Sequence, residues 1–393
     1  MQAHRSSLRP SLLGLLPLGF LIVGVGAACS STENSDPKGA AGTASSAGSA
    51  TGGSATVAGS SSSMAGTNGS PTAGSATTGG TGQGTGGSSA TAGTASGGTS
   101  SAGSGTAGST SNAGSGGGPV VGDRTPDGTC VRWKADTANL SEGTWSGSVD
   151  TCMAGDISAD GRENALRMFN LVRWLAELPA VVTEDARNQQ AQACALMMTA
   201  NKALSHNPPA DWKCFTELGK QGASTSNISS GPGVSSVLSY MVDTGNETTF
   251  GHRRIILSNE LGPIGLGSAG PNGSSCMQNI GGTGKSAKAW QAWPPPGPFP
   301  IQAYVDAYKR SLDSAGWSIQ SKNIDLSAAQ VTVTSGGQAR PVKVEQLTGN
   351  YGNNKAIRIV PDGWKAAAGS AYAVSVAGTA TPIAYEFQLV DCK

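Results

Sequence analysis

The chain has 393 residues, a net charge of +1 and only 13% charged residues, and 58 of its residues are glycine. A nearly neutral chain is not expected to bind nucleic acid, because phosphate binding needs clustered Lys and Arg. Arg253 and Arg254 are the only adjacent arginines, and two side chains make too small a patch.

The N-terminus has the pattern of an export signal. Arg5 and Arg9 precede an apolar run at residues 12–25, which is too short for a membrane span and is typical of a signal peptide. The small residues that end at Cys29 resemble a bacterial lipobox, which predicts that residues 1–28 are removed and that Cys29 is lipidated. The alternative is an ordinary signal peptide with an incidental cysteine. The first hypothesis predicts an exported lipoprotein of the bacterial outer membrane or cell surface, with a lipid anchor as its contact to the membrane.

Residues 29–122 form a low-complexity segment. Between residues 39 and 122 there is no Asp, Glu, Lys or Arg, and nearly every residue is Gly, Ser, Thr or Ala. Such a composition cannot bury enough apolar surface to offset chain entropy. We expect a disordered linker that tethers a folded part.

After Cys29, six cysteines remain, which predicts three disulfides in an oxidising compartment, with fifteen pairings open. Two of them, Cys130 and Cys152, lie in an N-terminal extension at residues 123–156. Sequence proximity favours the pairs Cys130–Cys152 and Cys194–Cys214, which leaves Cys276–Cys392. No Cys-x-x-Cys spacing indicates a zinc site made of cysteines.

Residues 157–293 show helical and then strand patterns. Apolar residues at helical spacing predict a helix at about 161–177, a second helix that starts near Thr183, and a third over residues 234–242. Two strands, near 264–269 and 276–280, follow and share a Gly-Asn-rich turn. This order predicts a single α+β domain of layered helices and sheet.

Residues 294–393 follow a proline-rich break and predict a second domain. They alternate apolar with polar residues in five runs: 331–334, 342–345, 357–360, 372–376 and 385–389. About a hundred residues of short strands predict a small Ig-like β-sandwich. Trp317 and Trp364 are expected in its core, and a sugar-stacking face is the alternative.

Short motifs in a fixed order carry a family resemblance across about 157–293. They are Asn170, Arg173, Leu178-Pro179, Ala191-Gln192-Ala193, Met197-Met198, Leu204-Ser205-His206, Ser226-Asn227-Ile228, Gly251-His252-Arg253-Arg254 and Ile264-Gly265-Leu266-Gly267. In this order they resemble the markers of the CAP (SCP-like) superfamily of cysteine-rich secretory proteins, venom allergens and plant pathogenesis-related proteins. The resemblance implies an α-β-α sandwich.

The resemblance also implies a cleft with two histidines and two glutamates, which in some members bind a divalent metal. His206 and His252 match the two histidines. Each follows an amphipathic run typical of a helix, which predicts that each lies in a loop just beyond a helix end. Ser226 stands where the first glutamate is expected, and Asp243 offers a shorter carboxylate in place of the second. This altered set predicts no cofactor beyond a weakly bound zinc or other divalent cation, held by His206 and His252. No Gly-x-Ser-x-Gly elbow indicates a nucleophile, so no catalytic residue is assigned.

The function predicted from the sequence is therefore binding without catalysis. The first hypothesis is a monomeric, envelope-anchored CAP-domain protein that binds a small amphipathic or lipidic ligand, or a divalent cation, in a cleft lined by His206, His252, Asp243 and Ser226. The second is a surface adhesion or interaction module that acts through the β domain. The third is a degenerate metal-dependent hydrolase. Purely structural roles for both histidines remain open.

Overall fold

The structure, a computed structural model, describes residues 123–393. The predicted signal peptide, the lipidated Cys29 and the linker at 29–122 lie outside these residues. Within the described part of the chain, no helix is long and apolar enough to cross a membrane.

The first half of the described chain contains six helices and one sheet. The helices are α1 (Pro126–Thr137), α2 (Ala159–Leu175), α3 (Asp185–Asn201), α4 (Glu217–Ser224), α5 (Gly233–Val242) and α6 (Gly251–Ile256). The antiparallel strands β1 (Ser226–Ser229), β2 (Gly265–Ser268) and β3 (Ser275–Gln278) lie in the order β1-β3-β2. The three predicted helices and both predicted strands are confirmed as α2, α3, α5, β2 and β3.

The sheet separates two apolar layers. Neighbours on β3 point to opposite faces, and Met277 packs with the residues of α2 and α5, whereas Cys276 packs with those of α3. On the α3 side the backbones nearly touch, since a Cβ at Gly265 would lie 2.2 Å from the carbonyl oxygen of Arg187. Glycine is therefore required there. The α+β class and the layered arrangement of helices and sheet are confirmed.

The second half is a two-sheet β-sandwich. Its strands are β4 (Trp290–Trp293), β5 (Gly297–Pro300), β6 (Trp317–Ser321), β7 (Gln330–Ser335), β8 (Gln338–Arg340), β9 (Val342–Gln346), β10 (Lys355–Pro361), β11 (Ala371–Ala377) and β12 (Ile383–Val390), with a short helix α7 (Leu312–Ala315). One sheet has the order β4-β6-β10-β9 and the other β5-β12-β11-β7-β8. These are the ABED and GFC arrangements of an immunoglobulin fold, with one strand, β8, added beyond C and another, β5, added beside G. The Ig-like prediction is confirmed.

The proline-rich segment after Trp293 is part of the sandwich and not a break before it. Strand β4, which the sequence placed in the first domain, pairs with β6, and β5 pairs with β12 in the other sheet. Prolines cannot donate ladder hydrogen bonds, so the chain leaves one sheet at Pro294 and enters the other at Gly297. The expected boundary between 293 and 294 therefore has to move to before Trp290.

The three disulfides differ from the predicted pairs. They join Cys130 to Cys392, Cys152 to Cys214 and Cys194 to Cys276. Proximity in sequence was the wrong guide, because each bond connects elements that the fold brings together, such as α3 and β3 through Cys194 and Cys276. Three disulfides place this part of the protein in an oxidising environment.

The two tryptophans belong to the core of the sandwich, as predicted. Trp317 is fully buried and meets Phe387 of the opposite sheet edge-on, with ring centroids 5.0 Å apart. Trp364 is half-buried, packs edge-on against Trp317 at 5.8 Å, and donates its indole N–H to the Pro341 carbonyl. Both rings are therefore used in packing within the sandwich, which does not support the alternative of a sugar-stacking face.

Candidate functional site

His206 lies in a loop just past α3, as predicted. The helix ends at Asn201, and Lys202 takes the left-handed backbone conformation at φ 49°. The ring Nδ1 of His206 is 3.0 Å from the carbonyl oxygen of Ala223, in α4. A carbonyl can only accept, so Nδ1 carries a proton and the neutral ring has its lone pair on Nε2.

His252 lies inside α6 and not in the loop that the sequence predicted. Its Nδ1 is 2.8 Å from Oδ1 of Asp243, and its ring packs against Tyr240 with centroids 4.7 Å apart. Asn246 Nδ2 lies 3.2 Å from the same ring nitrogen, but its N–H donates to Asp243 Oδ1 at 3.0 Å. The carboxylate therefore accepts the Nδ1 proton, and the neutral ring again has its lone pair on Nε2. The side chain of His252 is 16% exposed, so part of the ring meets solvent.

The two rings are close enough to interact electrostatically. Burial lowers the pKa of His206, and the positive charge of protonated His252 lowers it further, whereas the hydrogen bond to Ala223 raises it. Nδ1 of His206 is hydrogen-bonded to Ala223 of α4, which leads into β1, and the backbone carbonyl of His252 in α6 accepts from Asn227 of β1. Strand β1 and this electrostatic interaction therefore link the two histidines that the sequence proposed.

Asp243 does not line a cleft as a free ligand. It ends α5 in a left-handed conformation at φ 57°, and its side chain is 0% exposed. Oδ1 accepts from His252 and also from Asn246 Nδ2 at 3.0 Å, while Oδ2 accepts the backbone N–H of Arg253 at 3.2 Å. Both oxygens are occupied, so the carboxylate orients His252 from behind.

Ser226 makes no hydrogen bond to either histidine. It begins β1 opposite Gln278 and is fully buried. Residues that pair directly share a face, and the Gln278 amide donates to Thr225 Oγ1 and contacts Gln190 of α3. Ser226 therefore lies on the α3 face, and its Oγ makes no hydrogen bond within the described residues. The next residue, Asn227, approaches the site instead and donates to the His252 carbonyl at 3.3 Å.

Arginines fix the position of α6 against the sandwich. The fully buried Arg253 donates to the carbonyls of Met241 and Val242 in α5 and to that of Gly316 in the sandwich. Its guanidinium lies 3.8 Å from the centroid of Phe250, and burial lowers the pKa of Arg253 to about 9. Since Arg253 follows His252 directly, these bonds also hold the imidazole in place.

Sequence reasoning missed the partners of the histidines. Asn246 lies in the Gly-Asn turn after α5. The Gly-Asn pattern indicates a turn, but it does not show which carboxylate accepts a hydrogen bond from the Asn246 amide. The carbonyl of Ala223 has no signal in the sequence at all. The acceptors Ala223 O and Asp243 Oδ1 decide which ring nitrogen is left to act, and Asn246 holds Asp243 in place.

The arrangement leaves a lone pair on Nε2 of both histidines and offers few other metal-binding side chains. Within residues 123–393 no group of three or more His, Cys, Asp and Glu side chains is placed to hold a metal ion. Two imidazoles can contribute two ligands to a borderline cation such as zinc and leave its other positions open. Comparison with family models, curated proteins and solved structures gave no match.

Proposed function

We propose that this chain is a non-catalytic binding protein of the cell envelope that holds a divalent cation between Nε2 of His206 and Nε2 of His252. The observation that carries the proposal is that each Nδ1 is bound to an acceptor, Ala223 O or Asp243 Oδ1. Histidines that ligate metals almost always donate their other ring N–H to a carbonyl or carboxylate. The four family positions, two matched and two altered, thus divide into two ligands, one orienting carboxylate and one serine without a hydrogen bond.

The open coordination sphere determines what such a site could do. A tetrahedral cation needs four ligands, and with two from the protein the rest come from water or from a bound anionic ligand. No serine, threonine or cysteine within residues 123–393 is hydrogen-bonded to either imidazole, so the proposal stays with binding and not with hydrolysis. Export and anchorage through a lipid at Cys29 complete the proposal, and both concern residues outside those the structure describes.

A zinc titration of the purified full chain by calorimetry tests the cation site. We expect a micromolar Kd, which corresponds to about −8 kcal/mol, and loss of binding in the His206→Ala/His252→Ala variant. Asn207→Ala is the matched control, because Asn207 is exposed in the same loop and its side chain makes no recorded hydrogen bond. Equal zinc binding by the folded double variant would place any zinc elsewhere and refute the assignment.

A cavity supports a second candidate function, the binding of a small amphipathic ligand. It has a volume of about 390 Å³ and lies between α2, α5 and the segment after β5. Its walls include Leu140, Met168, Leu238 and Val305, and Glu142 stands at its side with both oxygens bound to N–H groups at the start of α5. This volume is within the usual range for ligand sites. The cavity is not lined by either histidine, so a ligand there would be independent of the cation.

Substitution of the cavity wall separates the two functions. Leu238→Trp should reduce uptake of a fluorescent fatty acid without any change in zinc affinity. If the substitution leaves uptake unchanged in a folded protein, the cavity is not the ligand site.

A further inference from the structure

The three disulfides differ sharply in their exposure to solvent. Cys194 and Cys276 are both fully buried, and Cys392 is only 4% exposed, with a half-buried partner in Cys130. Cys152 is exposed and its partner Cys214 is half-buried. A thiolate must reach a sulfur to break a disulfide, so the Cys152–Cys214 bond is the accessible one.

The backbone at this bond is also strained. Cys152 has φ 53° and Cys214 has φ 61°, so both half-cystines take the left-handed conformation. Residues other than glycine seldom adopt it, and they keep it only where the surroundings impose it. None of the other four half-cystines has a positive φ. Opening this bond would let two residues relax, which favours reduction here over reduction of the other two bonds.

The bond ties the segment that carries His206 to a small hairpin. The hairpin is closed by backbone hydrogen bonds between Ser148 and Met153, and Cys152 lies in its turn. Cys214 lies near the end of segment 202–216, which begins directly after Asn201, the last residue of α3. At Lys213 the backbone N–H donates to Asn201 Oδ1, and the backbone carbonyl accepts from Asn201 Nδ2. The Lys213 side chain adds an exposed ion pair with Asp150 at 3.7 Å. Exposed pairs of this kind contribute little.

Within the segment, the side chain of His206 is held by the contact of Nδ1 with Ala223 O. The covalent tie at Cys214 therefore limits how far the histidine can move from α4. Without it, the segment would be attached through weak polar contacts and through the packing of Leu204, Trp212 and Phe215 on the α3 core.

We propose that Cys152–Cys214 is a thiol-sensitive tie, and that its reduction by an extracellular dithiol loosens segment 202–216 and weakens the His206 site. The loss of cation affinity rests on the proposed function, whereas the loosening does not. In the reaction, one thiolate of the dithiol attacks Sγ of Cys152 and Cys214 leaves as a thiolate that takes up a proton. The second thiol of the reductant then closes its own disulfide and releases Cys152, so two electrons and two protons pass to the protein.

Limited reduction of the full chain tests the tie. The protein, with its three disulfides formed, is treated with a small excess of dithiothreitol at neutral pH, quenched with iodoacetamide and mapped by peptide mass. We expect label on Cys152 and Cys214 well before any on the four cysteines of the other two disulfides. We also expect amide hydrogen exchange in segment 202–216 to rise at least tenfold in this partly reduced protein. Simultaneous labelling of all six disulfide cysteines, or unchanged exchange in the segment, would overturn the proposal.

The Cys152→Ser/Cys214→Ser variant separates this inference from the proposed function. Like the reduced protein, this variant lacks the disulfide, but it has no thiol at position 152 or 214 that could bind zinc itself. We expect the same rise in exchange and a zinc Kd at least tenfold weaker than that of the oxidised chain. An unchanged zinc Kd despite faster exchange would refute the link to the site. If the oxidised chain binds no zinc, the cation function fails, and the exchange data alone decide whether the tie exists.

Discussion

Replacement of Asp243 by asparagine probes the step on which the cation site depends. The carboxylate accepts hydrogen bonds from His252 Nδ1 at 2.8 Å, from Asn246 Nδ2 at 3.0 Å and from the Arg253 backbone N–H at 3.2 Å. An amide has one oxygen where the carboxylate has two, so one of these donors would face an NH2 group. The replacement keeps the volume and removes the charge.

The size of the effect follows from those contacts. Hydrogen bonds to a charged group contribute about 1.5–3 kcal/mol each, and a buried donor without an acceptor costs about 1–3 kcal/mol. We therefore expect the free energy of unfolding to fall by about 2–4 kcal/mol. If the amide turns its NH2 group to His252, the neutral ring must carry its proton on Nε2 and loses the lone pair that would bind the cation. Loss of such an orienting partner lowers metal affinity about 10–100-fold.

Three measurements on the same variant check this reasoning. Urea unfolding gives the stability, zinc calorimetry gives the affinity, and ¹⁵N NMR of the imidazole reports which ring nitrogen carries the proton. Asn246→Ala is a graded control, because it removes one donor to Asp243, which also lies 3.2 Å from His252 Nδ1, and leaves the carboxylate on His252. Wild-type zinc affinity in folded Asp243→Asn protein, or an Nε2-protonated ring of His252 in the wild type, would refute the role given to Asp243.

Other consequences of the structure can be measured in the same way. Arg253→Met should lower the free energy of unfolding in urea by at least about 3 kcal/mol, since it leaves buried carbonyls such as that of Gly316 without their donor; a loss below about 1 kcal/mol would contradict this. Cys194→Ala/Cys276→Ala opens a loop of sequence separation 82 and should cost about 4–5 kcal/mol by chain entropy; an unchanged thermal midpoint would argue against the bond. Burial lowers the pKa of His206, so the folded chain binds protons there less readily than the unfolded chain. The metal-free protein should then lose stability as the pH falls below the usual histidine range of about 6.5, and zinc affinity should fall in the same window by up to about a hundredfold per pH unit. Zinc affinity that stays constant from pH 7.5 to pH 5 would exclude two imidazole ligands.

Local patterns in the sequence were sufficient for most of the regular elements. The apolar stripe from Leu166 to Leu175 predicted α2, and alternation around Tyr372 and Tyr385 predicted two neighbouring strands of the sandwich. Each of these signals arises because one face of the element is buried, which a periodic pattern records directly. Helix α1 gave no such signal, because charged and polar residues such as Arg132 and Asp136 take buried positions in it.

The features that depend on contacts distant in sequence could not be predicted in this way. Cys276 and Cys194 meet because α3 crosses the sheet, and Cys392 returns to α1 only after the whole sandwich has formed. Similarly, the family resemblance matched Asp243 to the second glutamate, yet its role follows from the turn that carries it under His252. A carboxylate at the expected position did not reveal whether its oxygens were free or already hydrogen-bonded.

Hydrogen bonds join the sandwich to α6, the helix that carries His252, and this limits how the competing functions can be tested separately. Arg254 donates to the carbonyls of Thr348, Gly349, Asn353 and Asn354 in the loop between β9 and β10. Together with Arg253 it attaches α6, and with it His252, to the second half of the chain. Removal of the β domain would leave two buried guanidinium groups without most of their acceptors, so it would unfold α6 and abolish cation binding even if the sandwich had no part in recognition. An adhesive role for the sandwich must therefore be tested by substitutions on its exposed strands, with α6 intact and zinc binding as the measure that the rest of the fold is unchanged.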